Sequence, residues 1–354
     1  MPACPNGPQE PLPLADDSAI KAYTETIVRL TGEYEFNSYT IGTRLRIDLP
    51  DADAAEVKRN LNLRLALAVW ARLPECDPKP IDSDITFIVT YPGTRVEALP
   101  SAIFIYGRYL KHTRNLPQAR WLCPKCQGRG CKTCGGSGRV YTNSVQEIIA
   151  APLLAALRAR ASKMHATGRQ DVDVRMLGNG RPFVLEMLNP HRRSADFAAV
   201  EQQVNAGGSV EVRGLRPVSR EIVKRVDTAR ADKSYHAVVR CERAIEESEL
   251  AGLLAAPEFT VQQQTPQRVV RRRADIIRVR KLVLLSARAP ASDPDRRRFE
   301  LDLRAQSGTY IKEFISGDAG RTHPSISELV GSQCLCETLD VTDVHFDPFD
   351  EPPV

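Results

Sequence analysis

The most informative part of the sequence is GRQDVDVRMLGNGRPFVLEM, residues 168–187. Its alternating first half and its apolar second half are typical of two β-strands. Asp171 and Asp173 lie two residues apart, so on a strand they would share one face and leave Val172 and Val174 to the core. A carboxylate at the start of a strand is often only a turn residue, so this stretch alone leaves catalysis open.

On both sides of this stretch, and as far as residue 346, segments with a strand pattern are interspersed with segments with a helix pattern. Ser144 and Glu147 form a capping-box pattern that predicts a helix from Ser144 to about Ser162. Further strands are predicted at 210–212, 235–241, 259–263, 276–286, 299–305 and 339–346, and helices at 194–205, 248–256, 310–315 and 325–330. We therefore predict a mixed, largely antiparallel sheet in a domain of residues 144–346, followed by a loose acidic tail, 347–354.

The patterns in the first part of the chain predict a separate α+β domain within residues 1–143. Helical spacing of apolar residues covers 18–30 and 53–73, and strand patterns cover 39–49, 85–91 and 102–106. The fold class predicted for the whole chain is therefore α+β with two domains.

Composition excludes several classes of protein. The chain has 354 residues, 42% hydrophobic and 26% charged, which is ordinary for a folded protein. The longest apolar run is about seven residues, whereas a membrane-spanning helix needs roughly 20. The N-terminus lacks a secretory pattern and the nine cysteines are odd in number, so we expect a reducing, cytoplasmic location and no membrane partner.

Four of the cysteines lie within twelve residues, in CPKCQGRGCKTC. Two CxxC pairs separated by four residues place four thiolates within reach of one tetrahedral ion, which predicts one structural zinc. A redox function is a weaker explanation, because that chemistry does not need two adjacent pairs. The predicted ligands are Cys123, Cys126, Cys131 and Cys134.

A basic stripe occupies residues 268–281, RVVRRRADIIRVRK, with seven basic residues against one aspartate. Such a stripe favours a phosphate-rich partner, although a solvated strand face would have the same composition. Two further segments have the residue types of a catalytic site. KSYHAV (233–238) places a tyrosine on a strand behind a basic residue, and SGTYIKEF (307–314) turns into a helix that offers a cation.

Together with GRQD, these segments resemble the three motifs of pseudouridine synthases. The wider stretches 168–187, 263–275 and 305–331 resemble the Pus10 family of tRNA pseudouridine synthases, as do SDITFIVTYP (83–92) and the cysteine cluster. The resemblance implies a THUMP-containing RNA-binding module in the first domain and a pseudouridine synthase domain after it. It also implies tRNA as the partner, through the T-loop uridines at positions 54 and 55, with no organic cofactor and no obligate protein partner.

The resemblance assigns roles to individual residues. Asp171 would act as nucleophile or base at the ribose of a flipped-out uridine, and Lys312 would keep it ionised and oriented. Tyr235 would stack on the target base, and its hydroxyl could assist proton removal at C5. Further substrate contacts are expected from Arg169, Ile311, Arg268, Arg272 and Arg273.

Two other functions remain open on the sequence. A zinc-stabilised RNA-binding protein or tRNA chaperone without turnover would explain the basic stripe and the cysteines. It would not explain why Asp171, Tyr235 and Lys312 all occur in motif context. A protein-chaperone zinc module rests on the cysteine spacing alone and predicts no preference for RNA.

Overall fold

The structure is a computed structural model that describes residues 12–169, 171–290 and 293–350, without the side chain of Arg272. Its contacts divide the chain into two compact units. The first comprises Met1–Ile103, Leu153–Ser162 and Met187–Ala195, and the second comprises the remaining residues. Within the described residues, every helix is too short or too polar to cross a lipid bilayer.

The first unit contains a four-stranded sheet covered by two helices. Strand β1 pairs in parallel with β3, and the helix α2 makes the crossover that a parallel connection requires. Apolar residues spaced four apart on α2, including Leu61, Leu65 and Val69, are buried in the core of the unit. The elements are α1 (Asp17–Thr31), β1 (Ser38–Leu45), α2 (Asp51–Trp70), β2 (Asp77–Pro78), β3 (Ile85–Tyr91) and β4 (Val96–Pro100).

A ten-stranded sheet organises the rest of the chain. Its elements are β5 (Ile103–Lys111), α3 (Val145–Ala156), β6 (Ala161–Ala166), β7 (Arg175–Leu188), α4 (Phe197–Asn205), β8 (Val210–Val218), α5 (Arg220–Thr228), β9 (Asp232–Cys241), α6 (Glu247–Ala255), β10 (Glu258–Gln264), β11 (Ile277–Arg288), β12 (Arg298–Ala305), α7 (Ile311–Ser316), β13 (Thr322–His323), α8 (Ile326–Leu329) and β14 (Cys334–His345). Short 3₁₀ helices occur at Lys132–Cys134, Val270–Arg272 and Asp318–Gly320.

The strand order is β13-β10-β11-β12-β9-β14-β7-β5-β8, with β6 paired to β7. The pair β14–β7 is parallel, whereas β9 is antiparallel to both of its neighbours, β12 and β14. The predicted α+β class with a mixed sheet is therefore confirmed. The sheet begins upstream of residue 144, because β5 pairs with β8 inside it.

The elements β4, β6 and α5 were not predicted from the sequence, and two of the predicted elements end or begin elsewhere. The helix α3 ends at Ala156 instead of Ser162, and Arg158 then adopts a left-handed backbone conformation with φ of 46° before the strand β6. Residues 171–174 form a turn, closed by a 3.3 Å hydrogen bond from Val174 N to Asp171 O, and β7 begins only at Arg175. The strand predicted for the first half of 168–187 is therefore wrong at 171–174, and the two aspartates do not share a strand face.

Candidate active site and cysteine cluster

A cavity of about 300 Å³ opens in the second unit, beside β9, β14 and the start of α7. Asp171, Tyr235 and Lys312 line this cavity together, although up to 141 residues of sequence separate them. The central strands of the sheet supply its floor, through Tyr235 on β9 and Leu339 and Val341 on β14. The cavity is thus built where the three motif segments meet.

Two cationic side chains hold the turn that carries Asp171. The buried Lys111 donates from Nζ to the carbonyl of Val172 at 2.8 Å and to the carbonyl of Leu116 at 2.9 Å. Burial lowers the pKa of this lysine to about 8. Arg114 donates to the carbonyl of Asp173 at 2.9 Å, so the carbonyls of both central residues of the turn are held.

Arg114 is itself held by Asp340, which is only 2% exposed. Its Nη2 lies 2.7 Å from Asp340 Oδ1, and Arg175 at the start of β7 binds the same carboxylate through two nitrogens. Burial would raise the pKa of Asp340, but the hydrogen bond from Arg175 and the two positive charges outweigh it and lower the pKa. This buried ion pair fixes the register of β7 against β14 at the edge of the cavity.

The carboxylates at the cavity mouth share two cations. Arg268 Nη1 lies 3.1 Å from Asp171 Oδ2, and Arg268 Nε lies 2.6 Å from Oε1 of the buried Glu313. Lys312 Nζ lies 2.6 Å from Asp173 Oδ2 but 3.9 Å from Asp171 Oδ2. Arg268, which the sequence analysis assigned to substrate binding, is therefore nearer to Asp171 than Lys312 is.

Two groups at the cavity mouth have pKa values that are shifted by their charged neighbours. Burial opposes the charge on Arg268, but the hydrogen bond and charge of Glu313, together with Asp171, raise the pKa of the guanidinium. Burial also raises the pKa of Asp173, and the hydrogen bond and charge of Lys312 outweigh it, so that the net shift is downward. Both shifts favour the charged forms of Arg268 and Asp173 at the mouth.

The remaining predicted contact residues occupy different parts of the site. Ile311 is buried and lines the cavity, and Arg169 lines it from an exposed position. Arg273 donates to the hydroxyl of Tyr310 at 2.9 Å. Arg272 lies in the 3₁₀ helix of the basic stripe, and its side chain is outside the described part of the structure.

The residues that support the site were not predicted from the sequence. Glu313 follows Lys312 directly, and a charged residue inside an otherwise apolar helix turn is the signal that could have marked it as a buried partner. Nothing in the local sequence singles out Lys111 or Asp340, because their partners lie far away along the chain.

The four predicted zinc ligands lie together. Their sulfur atoms are all within 4.8 Å of one another, with 3.9 Å between Cys123 and Cys131 and 3.8 Å between Cys126 and Cys134. A tetrahedral ion with Zn–S bonds of 2.3 Å requires sulfurs about 3.8 Å apart. Cysteine sulfurs at this spacing fit a zinc ion and leave no ligand position for water.

Glycines allow the loop to fold around these sulfurs. Gly130 has φ of 88°, and its amide donates to Cys126 Sγ at 3.2 Å. Gly138 has φ of 69°, and its amide donates to Cys134 Sγ at 3.2 Å while a side chain here would collide with the carbonyl of Gly128. These positions therefore demand glycine, both for the backbone angle and for the close approach.

The chain is similar to a defined group of proteins. The family model described as Pus10, C-terminal, matches residues 104–345. The protein named tRNA pseudouridine synthase Pus10 in Archaeoglobus fulgidus is 38% identical over 330 residues, covering 91% of each chain. Its namesake in Methanocaldococcus jannaschii is 37% identical over 328 residues, covering 90% of this chain and 71% of the relative.

Solved structures give a weaker likeness. The crystal structure of a Cbf5-Nop10-Gar1 complex aligns with 56% of this chain and 45% of its own, at 16% identity and a TM-score of 0.34. That score is too low to support a conclusion.

Proposed function

This chain belongs to the Pus10 family of tRNA pseudouridine synthases, which are isomerases, and we propose that it converts the T-loop uridines at tRNA positions 54 and 55 to pseudouridine. The observation that carries the proposal is the meeting of Asp171, Tyr235 and Lys312 around one cavity. The cavity of about 300 Å³ is large enough for a flipped nucleobase. The alternative, an RNA-binding protein without turnover, gives no reason for this convergence.

In the proposed reaction, Asp171 acts at the ribose as nucleophile on C1′ or as base at C2′. As nucleophile, its bond to C1′ breaks when C5 attacks that carbon; as base, it returns the proton to C2′ when C5 joins C1′. The C1′–N1 bond breaks and its electron pair remains on uracil, which turns so that C5 joins C1′. C5 then loses its proton and N1 gains one, so the product is an isomer of the substrate. Arg268 and Lys312 place two positive charges beside the Asp171 carboxylate and position it.

Tyr235 stacks on the target base from the floor of the cavity. Burial raises the pKa of its phenol to about 12, so it stays protonated at neutral pH. We therefore assign it stacking and hydrogen-bond donation, and not the role of a base at C5. Ile311 completes the apolar wall, and Arg169, Arg272 and Arg273 contact RNA phosphates or fill the gap left by the flipped base.

We assign the rest of the chain supporting roles. Residues 1–143 are proposed to contain the THUMP RNA-binding module and residues 144–346 the catalytic motifs, in a domain whose sheet also includes β5. The end of the predicted tail, 347–354, lies outside the described residues, which stop at 350. The cysteine cluster is proposed to hold one structural zinc, a choice supported by the tetrahedral spacing of its sulfurs. We propose that the enzyme acts on tRNA in the cytoplasm, with no organic cofactor and no obligate protein partner.

The test uses unmodified tRNA transcripts and position-resolved chemical mapping of pseudouridine. Wild-type protein should form product at positions 54 and 55, and Asp171→Asn should lose it by about 10³-fold or more while still binding tRNA. Asp173→Asn is the matched control on the same turn and should lose less than about tenfold, since among the described cations its side-chain carboxylate forms an ion pair only with Lys312. Lys312→Ala should weaken turnover more than binding.

Two outcomes would contradict the proposal. Tight binding of tRNA by wild-type protein without any pseudouridine would favour the non-catalytic RNA-binding function. Undiminished product from Asp171→Asn would remove Asp171 from its assigned role and leave the activity to be explained by other residues.

A further inference from the structure

Two buried cations lie at the floor of the cavity, and neither has a role in the reaction proposed for this site. Arg181 on β7 is 1% exposed, and Lys233 on β9 is 8% exposed. Both line the cavity, together with Tyr235. Lys233 and Tyr235 are two residues apart on one strand, so their side chains leave it on the same face.

Neither cation is neutralised by a carboxylate in the described part of the chain. Arg181 donates from Nη1 to the carbonyl of Thr167 at 2.8 Å, and its buried Nε has no hydrogen-bond partner there. Lys233 donates from Nζ to the carbonyl of Ala231 at 3.1 Å and has no carboxylate within 4.0 Å. Leaving buried charges unpaired costs several kcal/mol each, so this floor is built to receive an electron-rich group.

The charged groups facing Lys233 lead to the same conclusion. Burial and the charge of Arg181 together lower its pKa to about 8, against the opposing charge of Asp232. The floor is therefore positive, whereas the cavity mouth carries Asp171, whose side chain is 40% exposed, and its paired cations. A nucleotide whose ribose reaches Asp171 would place its base, and not its phosphate, against the floor.

We propose that Arg181 and Lys233 bind the carbonyl oxygens of the flipped uracil and stabilise the negative charge that the ring carries while it is detached from the ribose. This inference rests on the proposed function. When the C1′–N1 bond breaks, the electron pair moves onto uracil and is shared with O2 and O4. Hydrogen-bond donors already fixed at those oxygens stabilise this charge more than they stabilise the neutral base, so they lower the barrier to bond cleavage.

The experiment compares two substrates in single-turnover reactions with the full-length protein. One transcript carries uridine at the target position, and the other carries 5-fluorouridine, whose electron-withdrawing fluorine stabilises the detached ring without help from the enzyme. Lys233→Met should slow cleavage of the uridine substrate by about 10²-fold or more, as expected for loss of one donor to a developing anion. The loss with 5-fluorouridine should be at least about tenfold smaller.

The controls separate this role from a structural one. Arg273→Met, at the cavity mouth, should slow both substrates by the same factor. Lys233→Met should keep the melting temperature of wild type, because it removes a buried charge, and Arg181→Lys supplies a second variant that keeps a cation at the floor. An equal loss on both substrates, or a loss confined to tRNA affinity as expected for a phosphate contact, would overturn the inference.

Failure of the proposed function has a different signature. If wild-type protein releases or rearranges neither base, the assignment as a synthase acting on these uridines is wrong. If wild-type protein is active and Lys233→Met reacts as fast as wild type on both transcripts, only the role of the floor is wrong.

Discussion

Arg268 offers the sharpest test of how this site is held together, because it joins two carboxylates with different surroundings. Glu313 is 4% exposed and has Arg268 as its cation, with 2.6 Å between Arg268 Nε and Glu313 Oε1, whereas Asp171 lies at the open mouth. Removing one partner of a buried pair costs about 3–5 kcal/mol, because the other charge stays buried. We therefore expect Arg268→Met to lower the melting temperature by roughly 10 °C and to reduce isomerisation strongly.

A second substitution separates stability from activity. In the double variant Arg268→Met, Glu313→Gln, the stranded charge is gone, so the free energy of unfolding should return to within about 1 kcal/mol of wild type. The isomerisation rate should stay low, because Asp171 still lacks its nearer cation. Denaturant unfolding and single-turnover product formation measure the two quantities on the same samples. Recovery of activity along with stability would refute the reasoning, since Arg268 would then act on catalysis only through the fold.

Three further predictions concern other parts of the molecule. Purified protein should contain about one zinc per chain, and Cys131→Ser should lose it while Cys336→Ser keeps it, as metal analysis under reducing conditions will show. Asp340→Asn should destabilise the protein by about 3 kcal/mol in urea unfolding, because two arginines lose a buried counter-ion, whereas Asp343→Asn should cost less than about 1 kcal/mol. Since the pKa of Lys233 is lowered to about 8, its charge is lost as pH rises through that value, so the wild-type rate should fall between pH 8 and 10 and that of Lys233→Arg should fall less, with the titration of Lys111 common to both proteins.

The sequence predicted best what is encoded locally. The four-cysteine cluster was found from spacing alone, because both CxxC pairs lie within twelve residues and glycines close the loop between them. The strand that carries Tyr235 was also predicted within a few residues, and so was the turn that precedes α7. These short-range patterns can be predicted because the backbone geometry of each segment depends mainly on the residues within that segment.

Interactions between distant segments were predicted less well. The pairing of Arg268 with Asp171 joins residues 97 apart, and no pattern in either segment specifies it. The turn at 171–174 replaced a predicted strand because Lys111 and Arg114 capture its carbonyl groups, and both lie in a part of the chain assigned to another domain. Tertiary contacts here override the alternation of apolar and polar residues.

The anchoring of this turn decides where the polypeptide can be cut. A fragment that starts at Ser144 would discard Lys111, Arg114 and the strand β5, so the carboxylate of Asp171 would lose its scaffold although every motif residue is retained. A fragment that starts before Ile103 would keep all three. Truncation experiments that seek a minimal enzyme should therefore place the new terminus upstream of β5. If a shorter fragment is inactive, the cause would be the loss of the residues that hold the turn, and not the loss of a catalytic group.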